Sequence, residues 1–197
     1  MKRNLMIVTA LLALTCFVGA AVAADYQYVG AGKCFMCHKK DKSGNQMQKW
    51  MDGPHAGAYK TLATDEAKAI ATEKGLGDPQ QAAEFLKCHV TAADAPAEAF
   101  AAKFKAGDKS ADHHVDGVGC EACHGAGSKY KSAKVMKAIT GGTTDGATVG
   151  LANAADEAMC RTCHNEESPT FIGFDFAEFS AKIAHPIPEA HKATYAK

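Results

Sequence analysis

Three pentads carry the chemistry that the residue types permit: Cys34-Phe35-Met36-Cys37-His38, Cys120-Glu121-Ala122-Cys123-His124 and Cys160-Arg161-Thr162-Cys163-His164. Random placement of the chain's cysteines and histidines would give roughly 0.01 copies of C-x-x-C-H. Two thiols at this spacing reach the two vinyl groups on one edge of a porphyrin, and the adjacent imidazole then lies under the plane, where its nitrogen ligates iron. The pattern therefore predicts three covalently held haem c groups, with His38, His124 and His164 as proximal ligands. Paired C-x-x-C units also suit zinc, but zinc does not call for a His after every pair. A disulfide framework explains neither the histidines nor the odd number of cysteines left once Cys16 is set aside, and a C-x-x-C redox enzyme needs only one motif.

Phe85-Leu86-Lys87-Cys88-His89 is a damaged fourth copy, with Phe where the first Cys would stand. Two readings are open. Either Cys88 holds a fourth haem by a single thioether over His89, or the site is abandoned, with Cys88 a buried thiol and His89 a packed histidine. Each haem adds about 615 Da, so intact mass separates three from four.

Low-spin iron needs a second axial donor, and the remaining candidates are His55, His113, His114, His185 and Met136. His55 stands in Trp50-Met51-Asp52-Gly53-Pro54-His55-Ala56, at an expected helix start among small residues. His185 follows an amphipathic helix and precedes Pro186. Adjacent side chains diverge, so only one of His113 and His114 can serve a given iron. Met136 has core packing as its plainer role, and His191, near the chain end, is a reserve.

The haem histidines 38, 89, 124 and 164 are separated by 51, 35 and 40 residues, which leaves little chain per cofactor. The expected fold is mainly α with long loops, built around closely packed haems whose apolar faces supply much of the interior at about 25 cal/mol per Å². Asp78-Pro79-Gln80-Gln81 reads as a capping box opening a helix to Cys88. Asp175-Phe176-Ala177-Glu178 repeats the device, and its helix aligns Phe176, Phe179 and Ile183 before ending near His185-Pro186. Further helices are expected over 55–74, 96–105, 128–139 and 153–163, with loops over 117–127 outside the motif and over 141–146. Acidic residues near the motifs read as ordinary surface groups.

Lys2 and Arg3 precede an apolar stretch from Leu5 to Val18 that ends in Ala20-Ala21-Val22-Ala23-Ala24, the pattern of a secretory signal peptide. Residues 1–24 are thus expected to be removed, leaving 25–197 as one multihaem domain in the periplasm or outside the cell. Of 22 basic and 22 acidic residues, two bases leave with the leader. The slightly acidic remainder argues against nucleic-acid binding, and no later apolar stretch is long enough to span a bilayer. Cys16 lacks the small neighbour usual before a lipidated cysteine.

These residues resemble the tetrahaem cytochrome c-554 family. The resemblance rests on Tyr28-Val29-Gly30-Ala31-Gly32-Lys33 before the first motif and Pro54-His55-Ala56-Gly57-Ala58-Tyr59 after it. It continues in Gly117-Val118-Gly119-Cys120-Glu121-Ala122-Cys123-His124-Gly125, and in Cys163-His164-Asn165 with the later His185. It implies a mostly helical fold with stacked haem pairs, bis-histidine iron at most sites and a five-coordinate haem at the second motif, with His55 and His185 carrying over as distal ligands. Two departures stand out: Phe85 replaces a cysteine, and the family's distal His downstream of the third motif is missing, which leaves Met136 or one of His113 and His114 in its place. The implied function is electron transfer between redox proteins, which dock weakly, with Lys39, Lys40 and Lys42 as candidate guides. The alternative is an enzyme or sensor for a small nitrogen oxide at an open iron on His89, and a third is a subunit of a cytochrome filament.

Overall fold

The computed structural model describes residues 26–101, 117–152, 155–189 and 191–192. His113 and His114 lie outside them, as do the leader segment, Asn153 and residues 102–105 of the helix expected over 96–105, whose described part is instead a short 3-10 turn (Ala97–Ala99) that ends where Phe100 bridges to Tyr28. Nine short helices carry the described chain: α1 (Ala31–His38), α2 (Gln46–Met51), α3 (Pro54–Thr61), α4 (Asp65–Glu73), α5 (Ala83–His89), α6 (Cys120–His124), α7 (Ala133–Thr140), α8 (Glu157–Arg161) and α9 (Phe176–Ile183). The extended pairing among the described residues is one isolated parallel bridge, Tyr28 to Phe100, with the two rings 5.6 Å apart.

Side-chain caps explain four of the nine helix starts. Thr64, Ser132, Asp156 and Asp175 each accept the amide N–H three residues on, at 3.3, 3.3, 2.8 and 2.8 Å. The Thr64 cap divides the expected helix over 55–74 into α3 and α4. The Asp175 cap opens α9 where the sequence places it. Asp78 behaves differently: Gln81 Nε2 donates to its carboxylate at 3.0 Å, and the amides of Gln81 and Ala82 donate to its carbonyl at 2.8 and 2.9 Å. That closes a turn over 79–81, and extended Ala82 delays the helix to Ala83.

Protein side chains alone build little interior. One cluster of buried apolar residues joins Tyr59, Leu62 and Val90, and another joins Tyr130, Ile139 and Leu151. Helix α9, whose Phe176, Phe179 and Ile183 share a face, buries no residue fully. Ile172 is 97 % exposed and Met36 68 %. Such apolar faces fit contact with large flat cofactors between the helices.

Candidate haem-binding site

Each motif lies on or just after a short helix. Numbered in chain order, the first motif has Cys34, Cys37 and His38 on α1; the second, degenerate one has Cys88 and His89 on α5; the third is α6 itself; and in the fourth α8 brings Cys160 to a turn containing Cys163 and His164. Glycine makes two of these placements possible. Gly117 (φ 111°) lets its backbone press on His55, whose carbonyl a Cβ would meet at 2.8 Å, and Val118 N–H donates to that carbonyl at 3.0 Å. Gly125 (φ 79°) follows His124 against the Gly150 carbonyl, which a Cβ would meet at 2.6 Å.

The imidazoles are prepared for metal. His124 Nδ1 donates to the Ala152 carbonyl at 2.7 Å, and His89 Nδ1 does the same to Ala58 at 2.8 Å. His38 Nδ1 meets Gln46 Oε1 at 3.2 Å, while the amide nitrogen of Gln46 is committed to the Ser43 carbonyl at 2.5 Å. A proton fixed on Nδ1 leaves the Nε2 lone pair for a metal. The degenerate second motif therefore keeps the histidine orientation of the intact third one. His164 is held differently, stacked on Phe174 at 4.9 Å between ring centres, with Arg161 on that phenyl ring.

Two histidines outside the motifs arrive opposite two inside them. The His55 ring is 6.0 Å from that of His164, and the His185 ring is 5.8 Å from that of His124. Imidazoles sharing one metal through bonds of about 2 Å each hold their ring centres roughly 6 Å apart. Burial, then the neighbouring His164, pushes the pKa of His55 down; burial, then His124 and His38, does so for His185. Burial also lowers that of His164. These rings are neutral donors near pH 7, as haem ligation requires. Met136 packs against the Tyr130, Ile139 and Leu151 cluster.

The thiols show how the motifs neighbour one another. Cys34 is hydrogen-bonded to Cys120, and burial reinforces the resulting rise in its pKa. Cys88 lies by Cys163 and is pushed up to about 11, first by burial and then by that neighbour. Cys123 is raised by burial and, next, by Cys160. The first motif thus meets the third, the third meets the fourth and the fourth meets the second. All seven described cysteines are free thiols.

One functional residue is missed by the sequence reading. Glu121, expected at the surface like other acids near the motifs, is 3 % exposed. Its oxygens accept from Val29 N–H (2.9 and 3.0 Å), Gly30 N–H (2.7 Å) and Gly127 N–H (2.6 Å). The available signal was its place between two attachment cysteines in a glycine-flanked segment, where the backbone offers amides.

Repeated attachment pentads on a strand-poor helical scaffold, with imidazoles paired across the chain, define a multihaem c-type cytochrome. The family described as cytochrome c554 and c-prime matches residues 33–125, which include the first three motifs. Cytochrome c-554 of Nitrosomonas europaea is 33 % identical over 134 residues, covering 65 % of this chain and 52 % of that protein. The chain thus spans about half the length of this curated relative. The solved reduced state of cytochrome c554 from the same organism shares the fold at a TM-score of 0.54 and 23 % identity, over 88 % of this chain and 97 % of that one. The chain resembles the tetrahaem cytochrome c-554 family.

Proposed function

We propose that the chain is an exported electron carrier, relaying electrons between redox proteins over haem c groups attached at Cys34/Cys37, Cys120/Cys123 and Cys160/Cys163. Each group supplies a one-electron iron couple. His38, His124 and His164 are the proximal ligands. His55 completes the iron on His164, and His185 completes that on His124. His113 or His114 is left for His38, since Met136 is engaged in the Tyr130 cluster. A fourth haem on His89, tethered by Cys88 alone, is supported by the His89 bond to Ala58, while Phe85 turns its ring to the Tyr59, Leu62 and Val90 cluster.

The observation that carries this reading is the pairing of two distant imidazoles with two motif imidazoles. Neighbouring motifs in the order first, third, fourth, second give the relay a continuous path. At the first motif Cys37, Lys39, Lys40 and Lys42 are all exposed, which suits a weak encounter with an acidic partner. Export rests on the leader pattern at residues 1–24.

Electron paramagnetic resonance of the oxidised protein tests the ligand pairs. His55→Ala and His185→Ala should each convert one haem from low to high spin; unchanged low-spin signals in both would remove the carrier's ligand scheme. Intact mass reports haem number and leader removal together. The alternative reading, a small nitrogen oxide at an open iron on His89, predicts a high-spin band in the unmodified protein that shifts with nitric oxide.

A further inference from the structure

Glu121 stands where two attachment motifs meet. It follows Cys120 in α6, and two of its three N–H partners, Val29 and Gly30, lead directly into α1 with Cys34. The third, Gly127, lies just past α6, so the carboxylate ties the entry of one motif to both ends of another. Gly127 sits close against the carboxylate, and a Cβ there would lie 3.0 Å from Glu121 Oε1 and from Val29 Cγ2, so a side chain would press on both. The four contacts are all made by donors, which leaves an acid proton no acceptor among them and marks the pocket as one for the ionised group. Burial is the largest influence and leaves its pKa above the ordinary carboxylate value, while the Gly127, Val29 and Gly30 amides and the Lys131 charge act in the other direction and favour the ionised form. Its charge acts on the sulfurs of both Cys34 and Cys120.

We propose that Glu121 is the positioning and potential-setting residue of the haem pair formed by the first and third motifs: its carboxylate fixes Cys34 beside Cys120 and lowers the reduction potentials of both haems. The proposal rests on the carrier reading above. Ferric haem bears one more positive charge than ferrous haem, so a buried anion beside the pair favours the ferric state. Glu121 touches only the approach to the first motif and the third motif itself, and the fourth motif adjoins the third through Cys123 and Cys160, so the same charge acts more weakly on the haem at His164.

The test is a redox titration resolved haem by haem, on the full holoprotein, with intact mass taken on each variant. Glu121→Gln keeps the volume and removes the charge. The expected result is a full haem complement and a shift of about tenfold toward the ferrous state at two haems, about 59 mV for a one-electron couple, with a clearly smaller shift at the His164 haem. Glu121→Asp keeps the charge on a shorter arm; two low-potential haems should persist while their magnetic coupling changes. Equal shifts at every haem in Glu121→Gln, or none, would overturn the proposal. Should Glu121→Gln fail to mature, a rise of the same two potentials in fully loaded Glu121→Asp would overturn it as well. Failure of the carrier reading looks different: the unmodified protein would then have the mass of bare polypeptide.

Discussion

The pair made by the first and third motifs and the pair made by the second and fourth are assembled by different means. The first is closed from inside, where Glu121 gathers three backbone amides, with half-buried Tyr28 and buried Tyr130 near it. The second is closed near the surface, where Lys87 meets Glu167 at 2.6 Å with both side chains largely in solvent, and Phe174 stacks on His164. Cysteine usage follows the same division, since the interior pair keeps all four thiols and the surface pair has lost one to Phe85. A site held by amides and burial keeps its geometry through backbone structure; a site held by side-chain stacking relies more on the cofactor itself.

The strongest way to break this contrast is to empty one motif. Cys120→Ala with Cys123→Ala should remove about 615 Da and, because this motif touches both the first and the fourth, should disturb the spectra of the remaining haems. The same pair of changes at Cys160 and Cys163 should leave the first motif's haem spectrum intact, which electron paramagnetic resonance can follow. Next in size is Glu121→Ala, which strands three buried amides; a loss of about 3 kcal/mol or more is expected in denaturant unfolding.

Alkaline titration sharpens the comparison more gently. Tyr28 and Tyr130 are both held above the usual 10.0, by burial first and by Glu121 second. A phenol whose folded pKa exceeds its unfolded value contributes stability that is present below about pH 10 and lost as pH rises through the folded value. Melting temperature should therefore fall above pH 10, together with the appearance of tyrosinate absorbance from the interior pair. The smallest effect belongs to Lys87→Ala: a pair this exposed should leave the melting temperature unchanged within error.

Much of this was legible in the sequence, for physical reasons that differ by feature. Attachment pentads are local, so their number and residues could be read directly. The α9 start could be read too, because an Asp cap and an aligned apolar face act over a single turn. The same device at Asp78 misled, since its carboxylate and carbonyl were satisfied by a closed turn before any helix began. Thr64 was overlooked because the run around it reads as continuous helix, although its hydroxyl caps Ala67. The partners of His55 and His185 have no local signature at all, being fixed by Gly117 and by the path of the chain after α9. Glu121 was misjudged because its type suggests solvent, and only the fold supplies the amides that make its burial tolerable.

The meeting of Cys34 with Cys120 has a consequence for biogenesis. In a polypeptide threaded outward from its amino end, as the proposed export requires, the earlier sulfur emerges well before its later neighbour, so Cys34 can be alkylated by its vinyl group before Cys120 arrives. Delay in time thereby separates two nucleophiles that an oxidising compartment would otherwise join.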